Sequence, residues 1–317
     1  MKLLFILDPL SSLKTYKDSS VAIMREASAR GHTLYTCLQH DVFMRNELVK
    51  INAAFFNFKE SEIWYVSGDS QEILPKDFDA IIIRKDPPFD NEYLYSTYLL
   101  ELAVNQGARV FNNPAAVRDW NEKLSVAKFP QFAPEFLVTS NNDLIRTFLT
   151  EHQDIIVKPL DGMGGSGIFR LTQTDPNIGV ILETATQFGA QTVMAQRYLP
   201  QILQGDKRII VINGEPLPYA LARIPKAGET RGNLAAGGTG VAQPLTNRDI
   251  EIATTVGKVL KEKGLFLVGL DVIGDYLTEI NVTSPTGMVE IAAQTQHSNI
   301  PCNPAQIFMQ ALENAST

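Results

Sequence analysis

The sequence predicts an α/β protein of two or three layered units, and three stretches carry that reading. Residues 2–37 run strand, polar loop, helix, strand, the order of a parallel sheet with helical crossovers. Residues 155–171 place a glycine loop between two short apolar runs. Residues 265–283 read as a hairpin with acidic positions inside an apolar frame. At 317 residues the chain is long enough for several units. An apolar content of 44% and a charged content of 20% are ordinary for a globular protein. The net charge of −7 argues against nucleic acid as a general partner. Cys37 and Cys302 lie far apart, with no C-x-x-C, and read as free thiols in a reducing cytoplasm. The apolar run from Leu3 to Leu7 is too short for a signal segment, and no stretch suits a membrane span.

Taken in order, Lys2 to Leu7 is a buried strand stopped by Asp8-Pro9. Residues 19–30 form a helix capped by Asp18 or Ser19 and closed by Gly31, and Thr33 to Cys37 is the next strand. In such sheets ligands meet the loops after the strands, so Asp18 is either a helix cap or a substrate contact. Residues 42–75 alternate as a small antiparallel meander. Phe78 to Ile83 is a strand, and Pro87-Pro88 forces an extended turn after it, leaving Arg84 at a strand end. A helix over 91–106 and a strand over 108–111 complete this part. A helix through 118–127 should then carry Asn121-Glu122-Lys123, with a boundary near 120–135.

The glycine stretch satisfies G-x-G-x-x-G literally, from Gly162 through Gly164 and Gly165 to Gly167. The dinucleotide fingerprint, however, requires the loop to open a helix, and Walker A requires a following Gly-Lys-Ser/Thr. Neither is present, because the next run is a short strand ended by Asp175-Pro176. The pattern is a hairpin flap. Its backbone N–H groups can approach a triphosphate, and Lys158 can add a point charge; the alternative is a flexible surface hairpin. Strands at 138–139 and 192–199 and helices at 141–151 and 178–188 surround the flap.

Asn213-Gly214 marks a type I′ hairpin between 206–212 and 215–224 that carries Lys207, Arg208 and Arg223. Three cations on one hairpin suggest an anion site, with at least one serving as an ordinary surface charge. Residues 225–244 hold five glycines and no apolar period, which suggests a lid offering Arg231 and Asn233 on closure. A helix over 247–263 should bury Ile250, Ala253, Val256, Val259 and Leu260. In the acidic hairpin a three-residue loop at 274–276 sets Asp271 opposite Glu279, with Asn281 on the same face. Two carboxylates and an amide oxygen without His or Cys point to magnesium; pairing with Arg208 or Arg223 is the alternative.

These residues resemble the bacterial-type glutathione synthetases of the ATP-grasp superfamily. The resembling stretches include 17–20, 83–90, Asn121-Glu-Lys123, 158–165, 194–196, 205–208, 221–225, 228–238, 268–274 and 277–285, in order over nearly the whole chain. After Thr286 no strong motif follows. The resemblance implies an ATP-grasp fold with an N-terminal Rossmann-like (pre-ATP-grasp) α/β domain at 1–120. A small subdomain with the flap would follow at 121–200, and a C-terminal subdomain at 201–317 with a lid at 226–241. It implies ATP-dependent joining of γ-glutamylcysteine and glycine. Lys123, Lys158, the 162–167 glycines, Gln196, Tyr198, Leu199 and Asp206 would bind ATP. Asp271, Glu279 and Asn281 would ligate two magnesium ions, with manganese as a substitute. Arg208 and Arg223 would stabilise the transferred phosphoryl group, and Asp18, Arg84, Ser284, Pro285, Arg231 and Asn233 would contact substrate. A cytoplasmic homotetramer is implied as well. Another ATP-grasp carboxylate–amine ligase and a regulatory ATP-binding protein are the competing readings.

Overall fold

The computed structural model describes residues 1–226, 228, 232 and 237–316. The N-terminal part holds β1 (Lys2–Leu7), α1 (Ser19–Ala29), β2 (Thr33–Leu38), β3 (Val42–Arg45), β4 (Leu48–Phe58), β5 (Tyr65–Ile73), β6 (Ala80–Ile83), α2 (Asn91–Asn105) and β7 (Val110–Phe111). Its sheet runs β3-β4-β2-β1-β6-β7, with β5 on β4. β1 lies parallel to β2 and β6, and β3, β4 and β5 form the expected antiparallel meander. Asp18 is the cap of α1, accepting from Ser20 N at 2.7 Å and Val21 N at 3.1 Å. Gly31, at φ +78°, turns the chain out of the helix.

Next come α3 (Pro114–Asp119), β8 (Phe136–Thr139), α4 (Asn142–His152), β9 (Asp154–Pro159), β10 (Phe169–Thr172), α5 (Ile178–Ala185) and β11 (Val193–Arg197). The four strands form an antiparallel sheet in the order β10-β9-β11-β8, so the glycine loop joins an antiparallel pair as expected. Ile145, Phe148 and Leu149 of α4 and Leu182 of α5 pack with Ile155, Val157 and Leu171 of the sheet.

The last part comprises β12 (Asp206–Ile212), β13 (Glu215–Ile224), β14 (Thr239–Pro244), α6 (Asn247–Glu262), β15 (Leu267–Ile273), β16 (Tyr276–Asn281), α7 (Met288–Thr295) and α8 (Pro304–Ser316). The sheet runs β14-β13-β12-β15-β16, antiparallel throughout. Asn213 and Gly214 both take positive φ, as the hairpin turn requires. The motif-free tail forms α7 and α8. Met288, Ile291, Phe308 and Leu312 share a core with Leu3 and Phe5 of β1 and Ile23 of α1, so the first and last sheets are packed together.

Four expectations are corrected here. The helix over 118–127 is broken. α3 stops at Asp119, and a short 3₁₀ turn resumes at Leu124. Tertiary bonds win over helix propensity in between: Ile280 N donates to the Glu122 carbonyl at 2.8 Å. Glu122 Oε1 accepts from Val282 N at 2.9 Å, Thr283 N at 3.1 Å and the Thr283 hydroxyl at 2.8 Å. The β15–β16 loop is two residues, Gly274-Asp275, not three. A bulge between Asp271 and Val272 on one side and Thr278 on the other supplies the extra residue, so Asp271 still faces Glu279. On α6 Ala253, Val256 and Leu260 are buried as expected, but Ile250 is 45% exposed and Val259 only partly buried, while Asp249, Ile252 and Gly257 join the buried side. Finally, the expected 226–241 loop becomes strand from Thr239 onward.

Cys37 and Cys302 are unpaired and buried, and burial pushes the Cys302 thiol up to about 11 and that of Cys37 higher still. Both therefore stay protonated at neutral pH. Among the described residues no helix is long and apolar enough to cross a membrane.

Glu122 binds the segment before Lys123 to the end of β16, which yields a test. Glu122→Ala leaves three donors without their acceptor and should lower the unfolding free energy by about 2–4 kcal/mol in denaturant melts. Glu122→Gln keeps one acceptor and should lose less. Equal stability of all three proteins would remove this tie.

Candidate active site

A cavity of about 630 Å³ opens where the three sheets meet. Its wall takes Asp18 and Asp86 from the first part, Lys123, Lys158 and Gln196 from the second, and Arg208, Asp271 and Glu279 from the third. The glycine loop forms one side, with 162–166 on the wall. Gly164, Gly165 and Gly167 have φ of +63°, +84° and +71°, conformations that favour glycine. Gly162 is needed for space, since a Cβ there would lie 2.7 Å from Pro159 Cγ. Gly167 shapes the loop without lining the cavity.

Beneath the loop, buried charges interlock. The Arg208 guanidinium grips Asp271 with two bonds, Nε to Oδ1 at 2.5 Å and Nη2 to Oδ2 at 3.0 Å. Arg223 Nη2 reaches Asp271 Oδ2 at 2.8 Å and Asp206 Oδ2 at 2.5 Å. Lys158 Nζ lies 3.5 Å and Lys123 Nζ 3.9 Å from Glu279 Oε1. Lys123 Nζ also donates to the Gly162 carbonyl at 2.7 Å, joining the flap to this cluster. Burial by itself would raise the Asp271 carboxyl, but Arg208 and Arg223 hold it below the usual carboxylate range. Glu279 is lowered despite burial by Lys123 and Lys158. Burial pushes Asp206 up to about 7, against the pull of Arg223, and its Oδ1 has no hydrogen-bond partner among the described residues. Burial likewise lowers the Lys158 ammonium, partly offset by Glu279.

The acidic hairpin does pair with arginine, since Asp271 is bonded to both Arg208 and Arg223. The metal donor set is also together, because Asp271, Glu279 and Asn281 all line the cavity. The Asn281 amide nitrogen donates to the Gly269 carbonyl at 3.2 Å, leaving its oxygen as the acceptor. Among the described residues no three His, Cys, Asp or Glu side chains are grouped to hold a metal by themselves. The third cation of the hairpin, Lys207, leaves the site: it pairs with the buried Asp249 of α6 and donates to the Gly274 carbonyl at 3.1 Å.

At the far end of the second sheet, Gln196 is buried with Nε2 unpartnered among the described residues, while Tyr198 and Leu199 continue the wall. The Tyr198 ring carries the Arg170 guanidinium 3.7 Å from its centre. Of the expected substrate contacts, Asp18, Ser284 and Pro285 line the cavity. The Ser284 hydroxyl donates to Asp86. Arg84 lies behind the wall, donating at 2.9 Å each to the Ser20 hydroxyl and the Pro285 carbonyl. Arg231 and Asn233 lie outside the described residues. Sequence reasoning gave no role to Glu122 or Glu290, both on the wall. Glu122 sits inside the Asn121-Glu122-Lys123 stretch, which is the available signal; Glu290 has none.

Comparison with known proteins agrees with this layout. Residues 1–118 match the prokaryotic glutathione synthetase N-terminal domain, and residues 122–296 match the prokaryotic glutathione synthetase ATP-grasp domain. A glutathione synthetase of Nitrosomonas europaea is 59% identical, over 99% of this chain and 98% of that protein. One from Bordetella parapertussis is 54% identical over the full length of both. Among solved structures, the D-cycloserine synthetase DcsG aligns over 99% of this chain and 100% of its own with a TM-score of 0.68 at 14% identity. The D-alanyl-alanine synthetase A of Vibrio cholerae covers 99% of this chain and 98% of its own with a TM-score of 0.61 at 16% identity. These two likenesses concern the fold. The chain belongs to the prokaryotic glutathione synthetase family and has its ATP-grasp fold.

Proposed function

We propose that the chain is an ATP-dependent ligase that joins γ-glutamylcysteine to glycine, releasing glutathione, ADP and phosphate. The observation that carries this is the cluster of Arg208, Arg223, Lys123 and Lys158 around Asp271 and Glu279 under a glycine flap, in a chain 59% identical to a glutathione synthetase. The cysteinyl carboxylate attacks the γ-phosphorus of ATP, the bond to the β-phosphate oxygen breaks, and ADP leaves. The glycine amine then attacks the acyl carbon, phosphate departs and a proton is released. Such chemistry needs positioning and charge neutralisation rather than a protein nucleophile.

In this reading the nucleotide lies between 121–200 and 201–317. Lys123 and Lys158 hold its phosphates under Gly162, Gly164, Gly165 and Gly167. The buried Nε2 of Gln196 supports adenine recognition there, alongside Tyr198, Leu199 and Asp206. Arg208 and Arg223 stabilise the transferred phosphoryl group. Asp18, Ser284 and Pro285 face the peptide, and Arg84 supports Pro285 from behind. Arg231 and Asn233 belong to a lid at 226–238 that excludes water from the acyl phosphate. The donor set fits magnesium, with manganese as substitute: two carboxylates and an amide oxygen, hard ligands that phosphate oxygens and water complete. Asp271, Glu279 and Asn281 would hold two such ions, which would supply charge neutralisation at the ATP phosphates. The family resemblance supports a cytoplasmic homotetramer, and nothing in the charge supports nucleic acid.

Three measurements test this. ADP release should require γ-glutamylcysteine and glycine together and yield tripeptide; release with neither, or binding without turnover, refutes the ligase. Glu279→Gln should lower turnover by at least about 10²-fold with the fold retained, the scale of losing a charge-stabilising group. Undiminished ATP consumption would sink the ligand role. Removing 229–238, which stops short of β14, should lower tripeptide formed per ATP consumed; an unchanged ratio would refute a water-excluding lid.

A further inference from the structure

Among the described residues, each acid on the substrate side of the cavity has a protein partner except one. Asp8 pairs with Lys85 at 2.9 Å and accepts from Asp86 N at 2.9 Å. Asp18 caps α1, and Asp86 accepts the Ser284 hydroxyl. On the nucleotide side the acids are bonded to arginines, lysines or backbone donors, and Asp206, despite one free oxygen, holds Arg223 with the other. Glu290 differs. Its Oε2 is shielded from solvent and has no hydrogen-bond partner among the described residues.

The placement of Glu290 says what it awaits. It lies in the first turn of α7, after Gly287, and side chains on a helix lean toward its N-terminus. A Cβ on Gly287 would lie 3.7 Å from Arg208 Cγ, so this end of α7 stands against the phosphoryl-handling arginine. One turn on, on the same face, Gln294 is fixed to β14: its amide donates to the Gly240 carbonyl at 2.9 Å and accepts from Ala242 N at 2.8 Å. Glu290 therefore sits where the glycine-rich segment enters β14, beside the reacting centre. A carboxylate oxygen shielded without a donor is costly, and phosphate is the wrong sign for it. Both amino-acid substrates of the ligase reading carry a primary ammonium.

We propose that Glu290 is a specificity residue that holds the primary ammonium of an amino-acid substrate, either the amine of glycine or the α-ammonium of the γ-glutamyl group. This rests on the ligase reading. The ammonium replaces the donor that the protein does not provide, and uncharged or acidic analogues of the same size are disfavoured.

Steady-state kinetics of the full chain and of Glu290→Gln, varying each substrate in turn, tests this. One amine substrate should show a KM raised about tenfold or more, the loss of one charge-assisted hydrogen bond, while the KM for ATP and the melting temperature hold. A raised glycine KM assigns the amine acceptor, and a raised dipeptide KM assigns the γ-glutamyl ammonium. Glu290→Asp should partly restore the affected KM, and it replaces the Gln variant, with the same KM raised, if that variant does not fold. Both amine KM values within twofold of wild type, or all three KM values raised together, overturn the proposal. Absence of two-substrate turnover in the wild type would instead overturn the ligase reading beneath it.

Discussion

Asp271 is the group on which the rest of the site depends. Two buried guanidiniums meet on one carboxylate, and removing one member of such a set is expected to cost about 3–5 kcal/mol, because it strands charge away from water. The backbone around it is shaped accordingly. Gly269, two residues before Asp271, has no room for a side chain: a Cβ would lie 2.7 Å from Arg208 Cδ and 2.9 Å from Pro285 Cβ. The bulge at Thr278 then brings Glu279 opposite Asp271, and the Thr278 hydroxyl donates back to the Asp271 carbonyl at 3.1 Å. One hairpin thus sets two carboxylates on the cavity face, each matched by a pair of cations.

The cations come from separate elements, which is how the chain's parts become one site. Arg208 and Arg223 stand on β12 and β13, Lys158 on β9, and Lys123 on the short segment before the 3₁₀ turn. Glu122 ties that segment to the end of β16, next to Glu279 and Asn281. Lys123 then bonds the glycine flap, so movement of the flap is coupled to the charge cluster through one ammonium. Glycines confer approach and backbone freedom there, while the charge is concentrated in the groups below.

Much of this was legible in the sequence where a local rule decides the outcome. The parallel β1–α1–β2 unit, the Asn213-Gly214 hairpin and the glycine flap follow from periodicity and turn residues, and they appear as expected. The facing of Asp271 and Glu279 was right for a wrong reason, because the bulge did the work assigned to a longer loop. What failed depended on distant partners. The break at 120–123 is set by bonds to β16, which no local pattern encodes. On α6 the expected Ala253, Val256 and Leu260 are buried, but Asp249 joins them because it binds Lys207 and Gly257 because it approaches the β12–β13 turn. Glu290 was invisible because its significance is a missing partner, a property of three-dimensional surroundings alone.

In the proposed reaction Arg208 and Arg223 hold Asp271 ready for phosphoryl transfer at this hairpin. The most direct test is a crystal structure with magnesium and a nonhydrolysable ATP analogue. Arg208 or Arg223 should exchange contact with Asp271 for contact with the triphosphate, while Asp271, Glu279 and Asn281 face the metal. Both arginines still closed on Asp271, with the metal held elsewhere, would contradict it.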